Sequence, residues 1–498
     1  MAILRFTASA DTTITNAFER DLVTRGTGAN MGYADSLEVF SIYGQLSSST
    51  VGQTQELSRT LIQFPITSIS ASRTAGTIPA SGSVSFYLKM YNARTPFTLP
   101  QGFNLVVAPV SRSWTEGTGL DMDEYQDLGP SNWISSSAGS PWDSVGGDYL
   151  AASNYNVSFA EGYENIELDV SQIVEQWIDG TYNNNGFGIH LTASQEAYYS
   201  SSTGLDNGNL IHNPQGALKS YYTKKFFSRS TEFFFRRPVI EARWDSRVQD
   251  DRENFYYSSS LAPTDDNLND LYFYNYVRGR LVDYNGSLAV RFYSSSAGLP
   301  TGGPLTIASP AGTSVTATKV STGIYKVSVA LTAATTALTA MHDVWRDASS
   351  DTEYITASFY PEKFPVYDSA PTFNRVTSCK NLKKSYSVAE TARFRFFVRS
   401  KDWSPTVYTV ATAVNPTDII TSASYNIRRV TDNLDAIPYG TGSAYSTYMS
   451  YDKEGNYFDL DMSLLAAGYM YELKLAYYND SIGSWQEQPQ TFKFRVEE

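Results

Sequence analysis

The chain has 498 residues, with 38 Lys and Arg against 51 Asp and Glu, for a formal net charge of −13. Only 18% of residues are charged and 14% are aromatic, with one cysteine, Cys379, and three histidines, His190, His212 and His342. This composition excludes an internal disulfide, a cysteine-rich zinc site, intrinsic disorder and generic nucleic-acid binding, which depends on neutralising phosphates.

At about 150 residues per domain, the length predicts about three domains. The first residues, Met1-Ala-Ile-Leu-Arg-Phe-Thr7, lack a basic segment followed by an apolar run, so no secretory signal is expected. No apolar stretch approaches the roughly 18 residues of a membrane span. Strands are predicted at 84–90, 103–108, 237–244, 287–293, 323–331, 392–398, 407–414, 470–478 and 491–496. Each is short, rich in β-branched or aromatic residues, and bounded by turn formers. One helix is predicted over 169–180, where Ile173, Val174, Trp177 and Ile178 share a face, Ser171 is placed as the N-cap and Gly180 as the stop. Frequent short strands predict an all-β fold of sandwiches. Boundaries near Ser246 and Val366 divide the chain into 1–245, 246–365 and 366–498, the last two of immunoglobulin size.

The residues carry little catalytic chemistry. Gly-x-Ser-x-Gly is absent, and His190 sits in an apparent strand, so it reads as structural. The carboxylate pairs Asp121/Asp123 and Asp459/Asp461 read as solvated loop acids. Asp121, Asp123, Glu124 and Asp127 cluster in one oxygen-rich loop, the candidate site for a structural calcium ion; no other cofactor is expected. The groups Asp265-Asp266-Asn267 and Asp206-Asn207 are poorer versions of it. Cys379 reads as a buried, apolar-like thiol.

Charge is uneven along the chain. Residues 219–252 carry +4 and residues 374–401 carry +7, which leaves −24 elsewhere. Lys224, Lys225, Arg236, Arg237, Lys383, Lys384, Arg393 and Arg395 are therefore candidate interface residues, in a chain polarised enough to associate head to tail. The segment 253–279 is too aromatic for a polar linker. Its Tyr256, Tyr257, Tyr272, Tyr274 and Tyr276 are expected to be buried against a neighbouring domain or subunit.

Several motifs in the first region occur in the order of a known family. They are Asp11-Thr-Thr-Ile14, Met31-Gly32 with Leu37 and Val39, Arg59-Thr-Leu-Ile-Gln-Phe64, and Ser113-Trp-Thr-Glu-Gly117 with Asn132-Trp133. Leu168-Asp-Val-Ser171 with Trp177, Asn185-Gly-Phe-Gly-Ile189, Lys225-Phe-Phe-Ser228 and Arg237-Pro-Val-Ile240 follow. Residues 1–245 resemble the DNRLRE-type domain, a disaggregatase-related module similar to carbohydrate-binding modules. The resemblance implies a jelly-roll-like β-sandwich, carries no catalytic residue, and makes Trp114 and Trp133 either sugar-stacking platforms or core residues. Ladders such as Tyr325-Lys-Val-Ser-Val329 make the later regions resemble the immunoglobulin-like (Ig-like) modules of bacteriophage virion proteins.

A domain type usually found outside cells, with no expected signal, fits a virion component made in a host cytoplasm and released by lysis. The expectation is a non-enzymatic structural protein of a tailed bacteriophage, in the neck, collar, tail or baseplate. Its partners would be other virion proteins and copies of itself around a symmetry axis, without nucleic acid or membrane. The alternative is a glycan-binding adhesin or capsid decoration protein that contacts host polysaccharide through the first sandwich.

Overall fold

The computed structural model describes residues 3–45, 55–96, 98–121, 127, 129–150, 153–200, 209–259, 262–296, 299–332, 340–362, 375–401, 403–404, 417–440, 445–479 and 483–498. The predicted strand 407–414 and the boundary at Val366 lie outside these residues. The chain forms two compact units, Ile3–Trp244 and Asp245–Glu498.

The first unit contains β1 (Ile3–Thr7), β2 (Ala10–Thr15), β3 (Ser36–Gln45), β4 (Glu56–Gln63), β5 (Val84–Met90), β6 (Phe103–Pro109), β7 (Ser135–Ser137), β8 (Ser140–Pro141), β9 (Tyr155–Phe159), β10 (Ile166–Asp169), β11 (Phe187–Leu191), β12 (Lys219–Phe227) and β13 (Val239–Trp244). Helix α1 (Ile66–Thr74) follows β4, and α2 (Ser171–Ile178) follows β10. One sheet runs β1-β13-β5-β10; the other runs β12-β3-β4-β11-β6-β9, with β2 on β4. Alternation decides which side chains meet. Val84, Phe86, Leu88 and Met90 of β5, with Ile240 and Ala242 of β13, enter the core against Leu105, Val107, Phe187 and Ile189 of the facing sheet.

The intervening residues turn outward and form a charge cluster. Arg5 Nε donates to Glu241 at 2.7 Å, and Lys89 and Arg243 stand 3.8 and 2.6 Å from the same carboxylate. Burial raises the Glu241 pKa, but Arg5, Lys89 and Arg243 outweigh it and hold the group at about 2.

Helix α2 buries Ile173, Val174 and Trp177 as its periodicity predicts, and Gly180 ends it at φ +82°. Ser171 is not the N-cap. That position is Val170, and the Ser171 hydroxyl instead donates to Asp169 at 2.6 Å and accepts from the Phe86 amide at 2.7 Å, tying the helix to β5. Helix α1 was not predicted, because its Ser- and Thr-rich sequence has low intrinsic helicity. Tertiary contacts supply what propensity lacks: Ile66 and Ile69 enter the core, and Arg73 forks onto Glu175 of α2 at 2.6 Å through both nitrogens.

A second cluster lies beyond β4, where Leu57 and Leu61 pack on Ile14, Val110, Trp133 and Trp142. Arg59 of β4 is buried there. It bonds Glu196 at 3.1 and 2.9 Å, reaches the Gly146 carbonyl at 3.3 Å, and lies over the rings of Trp133 and Tyr149.

The second unit holds two further sandwiches. The middle one comprises β14 (Asn269–Tyr274), β15 (Tyr276–Val277), β16 (Arg280–Leu281), β17 (Leu288–Ser296), β18 (Leu299–Thr301), β19 (Val315–Thr316), β20 (Thr318–Ser321), β21 (Ile324–Val329), β22 (Met341–Asp347) and β23 (Glu353–Phe359). Its sheets are β14-β21-β20 and β18-β17-β22-β23, with β19 on β17, and Trp345 stacks on Phe273 between them. The C-terminal one comprises β24 (Arg375–Cys379), β25 (Ser385–Ser387), β26 (Thr391–Ser400), β27 (Ala423–Arg429), β28 (Leu434–Ile437), β29 (Ser450–Asp452), β30 (Gly455–Asp461), β31 (Met470–Asn479), β32 (Ser484–Glu487) and β33 (Phe492–Glu497). Its sheets are β24-β26-β30-β29 and β25-β33-β31-β27-β28, with β32 on β31. Phe394, Phe396, Tyr425 and Phe458 stack in its core.

Two details of the C-terminal sandwich are Ig-like. The early strand β25 pairs parallel with the terminal β33. Tyr471, near the start of β31, accepts from the Ala466 amide at 2.9 Å and donates to its carbonyl at 3.1 Å, a tyrosine corner. The fold is therefore all-β, a jelly-roll-like sandwich followed by Ig-like sandwiches. Among the described residues, no helix is long and apolar enough to cross a membrane.

Glu196→Ala leaves the Arg59 charge buried and alone. It should cost about 3–5 kcal/mol in denaturant unfolding, while Arg59→Leu/Glu196→Leu should recover most of that loss.

Candidate interaction surfaces

The family-like motifs converge inside the first sandwich. Asp11 Oδ2 accepts from the Arg229 amide at 2.6 Å, the Asp11 amide donates to Glu116 at 2.8 Å, and Glu116 is forked by Arg229. Burial first, then the nearby Glu116 charge, raises the Asp11 pKa to about 7 against the opposing pull of Arg229. Asn30 donates to the carbonyls of Glu116 and Ser131. A Cβ on Gly32 would meet the Glu116 carbonyl at 2.5 Å, so that close approach requires glycine. Trp114 Nε1 donates to the Asn185 carbonyl at 2.8 Å, joining two motifs. Trp133 is fully buried and donates to the Asn209 carbonyl at 2.8 Å. Of the two readings held for Trp133, the core one is correct, because no ring face is left for a sugar. Trp114 is half-buried against the same cluster.

Burial also decides the fate of the basic residues in the first unit. Lys224, a candidate interface residue, is only 1% exposed. Its ammonium donates to Asn92 Oδ1 at 2.8 Å and to the carbonyls of Gly162 and Glu164 at 2.9 and 2.8 Å, between the rings of Phe159 and Phe226. Burial pulls its pKa down to about 8. It is a structural post, unavailable to a partner. Lys225 pairs with Glu38 at 2.8 Å.

Arg236 and Arg237 differ, and they lead to residues the sequence reading passed over. After β12 the chain turns on Ser228, whose hydroxyl donates to the Ala34 carbonyl at 2.6 Å, and enters a single 3-10 turn, Phe234–Arg236. Phe233 and Phe234 remain 52% and 56% exposed. Phe227 and Phe233 meet edge to face, as do Phe234 and Phe235. Arg236 lies 5.3 Å over Phe227, and Arg237 lies 5.3 Å over Phe234 while donating to the Thr231 carbonyl. No carboxylate pairs with either arginine among the described residues. The available signal was the run Phe233-Phe-Phe-Arg-Arg237, since three consecutive aromatics cannot all face one core. Exposed Phe carrying unpaired Arg has the composition of an interface hot spot.

In the second unit, acids on neighbouring strands neutralise much of the basic stretch. Arg393 forks onto Asp459 at 2.7 and 2.8 Å, Arg395 forks onto Asp452 at 2.6 and 2.8 Å, and both lie over Tyr457. Lys383 reaches Glu390 at 3.2 Å, and Lys384 is exposed. A net +7 along the sequence is thus not a free basic face, because β29 and β30 bring the counter-charges. Asp461 caps a short turn through the Ser463 amide at 2.9 Å.

The aromatic segment mostly builds its own sandwich. Tyr257 belongs to the middle core and Tyr272 is buried, whereas Tyr256 is half-buried and Tyr276 is exposed. Tyr274 reaches the C-terminal sandwich, where its hydroxyl shares a hydrogen bond with that of Tyr457. Around it the two sandwiches of this unit meet. Val248 donates to Ser450 Oγ at 2.9 Å, Tyr451 donates through its amide to the Val248 carbonyl at 3.0 Å, and its hydroxyl donates to Asp251 at 2.8 Å. Arg252 bridges Asp250 and the fully buried Asp343, at 2.6 Å from the latter. Burial pushes Asp250 and Asp251 up to about 6 each, despite Arg252 at the first and the Asp270 amide and Tyr451 hydroxyl at the second.

The remaining candidates lie apart among the described residues. His190 Nδ1 is 2.7 Å from the Leu191 carbonyl, and burial, then Arg59, pulls its pKa to about 4, so it is neutral at neutral pH. In the predicted calcium loop, Asp127 accepts from the Thr118 amide and hydroxyl at 2.7 and 3.0 Å; Asp123 and Glu124 lie outside the described residues, as do Asp206 and Asn207. Among the described residues, no three His, Cys, Asp or Glu side chains are grouped to hold a metal ion. Cys379 is half-buried rather than buried, and burial raises its pKa.

No protein-family model and no curated protein matches the chain. Among solved structures it is similar to the N-terminal Ig1-2 module of the Drosophila receptor protein tyrosine phosphatase DLAR, at 9% identity and TM-score 0.14, over 47% of this chain and 91% of that one. It is also similar to trypsin-activated alpha-2-macroglobulin from Escherichia coli, at 9% identity and TM-score 0.16, over 92% of this chain and 30% of that one. Methylamine-reacted Salmonella alpha-2-macroglobulin matches at 9% identity and TM-score 0.15, over 99% and 34%. The chain spans about a third of the length of the two macroglobulins. Likeness at this level carries no argument, so the fold assignment rests on the sheets themselves.

The raised aspartates set a pH dependence. A carboxyl with a folded pKa near 6 binds its proton more tightly folded than unfolded, so its contribution is fullest below the ordinary aspartate range and is lost as pH rises through about 6. Asp251→Asn should flatten that slope, so that its melting temperature falls less than the wild type's between about pH 5 and 7.5 in scanning calorimetry.

Proposed function

We propose that the chain is a non-enzymatic structural protein of a tailed bacteriophage virion, which docks onto and bridges neighbouring subunits in the neck, collar, tail or baseplate. One observation carries the reading: rigid β-sandwiches whose charges are largely spent on internal pairs present an exposed Phe–Arg knob, Phe233, Phe234, Arg236 and Arg237. Such a knob binds protein by burying its rings and desolvating arginines that no carboxylate pairs with among the described residues. The DNRLRE-type resemblance supports a surface module, and the Ig-like sandwiches suit a bridging spacer.

The second reading, a glycan-binding adhesin, moves to different residues. Tyr221 is 64% exposed and stacks on Tyr222 at 5.0 Å and 21°. A flat aromatic pair of that kind suits a sugar ring.

Mass spectrometry of purified particles should find the chain in stoichiometric amounts. Phe233→Ser/Phe234→Ser, exposed positions whose loss leaves the sandwich folded, should lower incorporation at least about tenfold, consistent with two hot-spot residues. Absence from particles, combined with a glycan-array signal that Tyr221→Ala removes, would replace this reading with the adhesin.

A further inference from the structure

Strand β23 is the outermost strand of its sheet. It pairs with β22 on one side and, among the described residues, with nothing on the other. Glu353, Tyr354, Ile355, Thr356 and Ser358 are all exposed. An open edge is a row of unpaired backbone donors and acceptors, and proteins usually blunt it with Lys, Pro or a bulge. Three other edges of this chain follow that rule: β12 carries Lys219, Lys225 and a bulge, β18 carries Pro300, and β20 carries Lys319, whereas β9 and β10 carry neither Lys nor Pro. β23 reads Glu-Tyr-Ile-Thr-Ala-Ser-Phe, with strong strand formers and neither Lys nor Pro. Its bulge lies at the extreme start, opposite Trp345 and Arg346. Its one charge, Glu353, is already spent on Arg346.

We infer that β23 pairs antiparallel with β23 of a second copy, about a twofold axis at Thr356, so that the sheet β18-β17-β22-β23 continues across the interface. A second copy is the occupant because the strand complements itself. In this register Tyr354 faces Ser358, Ile355 faces Ala357, and Thr356 faces its own mate, so bulky side chains meet small ones on both faces. The two Glu353 carboxylates fall at opposite ends, about 20 Å apart at ~3.4 Å per residue, so no like charges meet. An edge with no unpaired charge offers nothing to select a charged foreign strand. This deepens the assembly reading by naming a self-contact, but a dimer in solution needs no particle, so the two can fail separately.

The test is sedimentation and light scattering of the full chain over a concentration series. The expected result is a reversible species of twice 55.2 kDa. Thr356→Lys, which sets two ammonium groups side by side at the axis, should weaken it at least tenfold with unchanged circular dichroism. In a Cys379→Ser background, Thr356→Cys should cross-link on mild oxidation, since facing Cβ atoms of such a pair approach to about 4.5 Å, the upper end of the range a disulfide spans. Val320→Cys, exposed on another strand, should not. A monomer throughout with no cross-link, a dimer indifferent to Thr356→Lys, or equal cross-linking at Val320→Cys would each overturn the inference.

Discussion

A charge taken out of water must find its counter-charge inside, and this constraint organises each sandwich. In the first unit Glu241 draws Arg5 and Lys89 from the two neighbouring strands and Arg243 from its own, and Arg59 draws Glu196 from a distant loop. In the second, Asp343 inside the middle sandwich is met by Arg252 and by Trp345 Nε1 at 2.7 Å. Each pair is costly to break, because removing one partner strands the other in a poorly screened interior. Lys224 meets the same constraint differently. Among the described residues no carboxylate pairs with it, and three oxygens and two aromatic faces solvate it instead.

This internal consumption shapes what is left for partners. Arg393 and Arg395 are spent on Asp459 and Asp452, so the C-terminal basic stretch offers less positive surface than its composition implies. The exposed features that remain are aromatic and backbone in kind: the knob around Phe233 and Phe234, and the open edge of β23. The edge belongs to a sheet, whereas the knob lies on the connection between β12 and β13.

Much of the local structure was legible. The predicted 84–90 is β5, and 470–478 lies within β31, because strict alternation of large apolar residues is a property of the chain alone. Helix α2 was legible for the same reason, whereas α1 was not: Ile66 and Ile69 are too few to mark a period, and the Arg73–Glu175 fork that steadies it spans two distant segments. The candidate site was less legible than the fold. Phe233 and Phe234 differ from Phe255 and Phe273 only in exposure, and exposure depends on which sheet closes over a ring.

By itself, then, the sequence determined that the protein is built of short strands in an all-β fold, because side-chain alternation and turn chemistry are local properties. It also determined that no disulfide could staple those strands, leaving burial and ion pairs to do so. Only the tertiary structure decided which charges are free. A net charge counted along the chain adds neighbours in sequence, whereas Coulomb attraction acts between neighbours in space. Arg395 and Asp452 are 57 positions apart in one measure and 2.6 Å apart in the other.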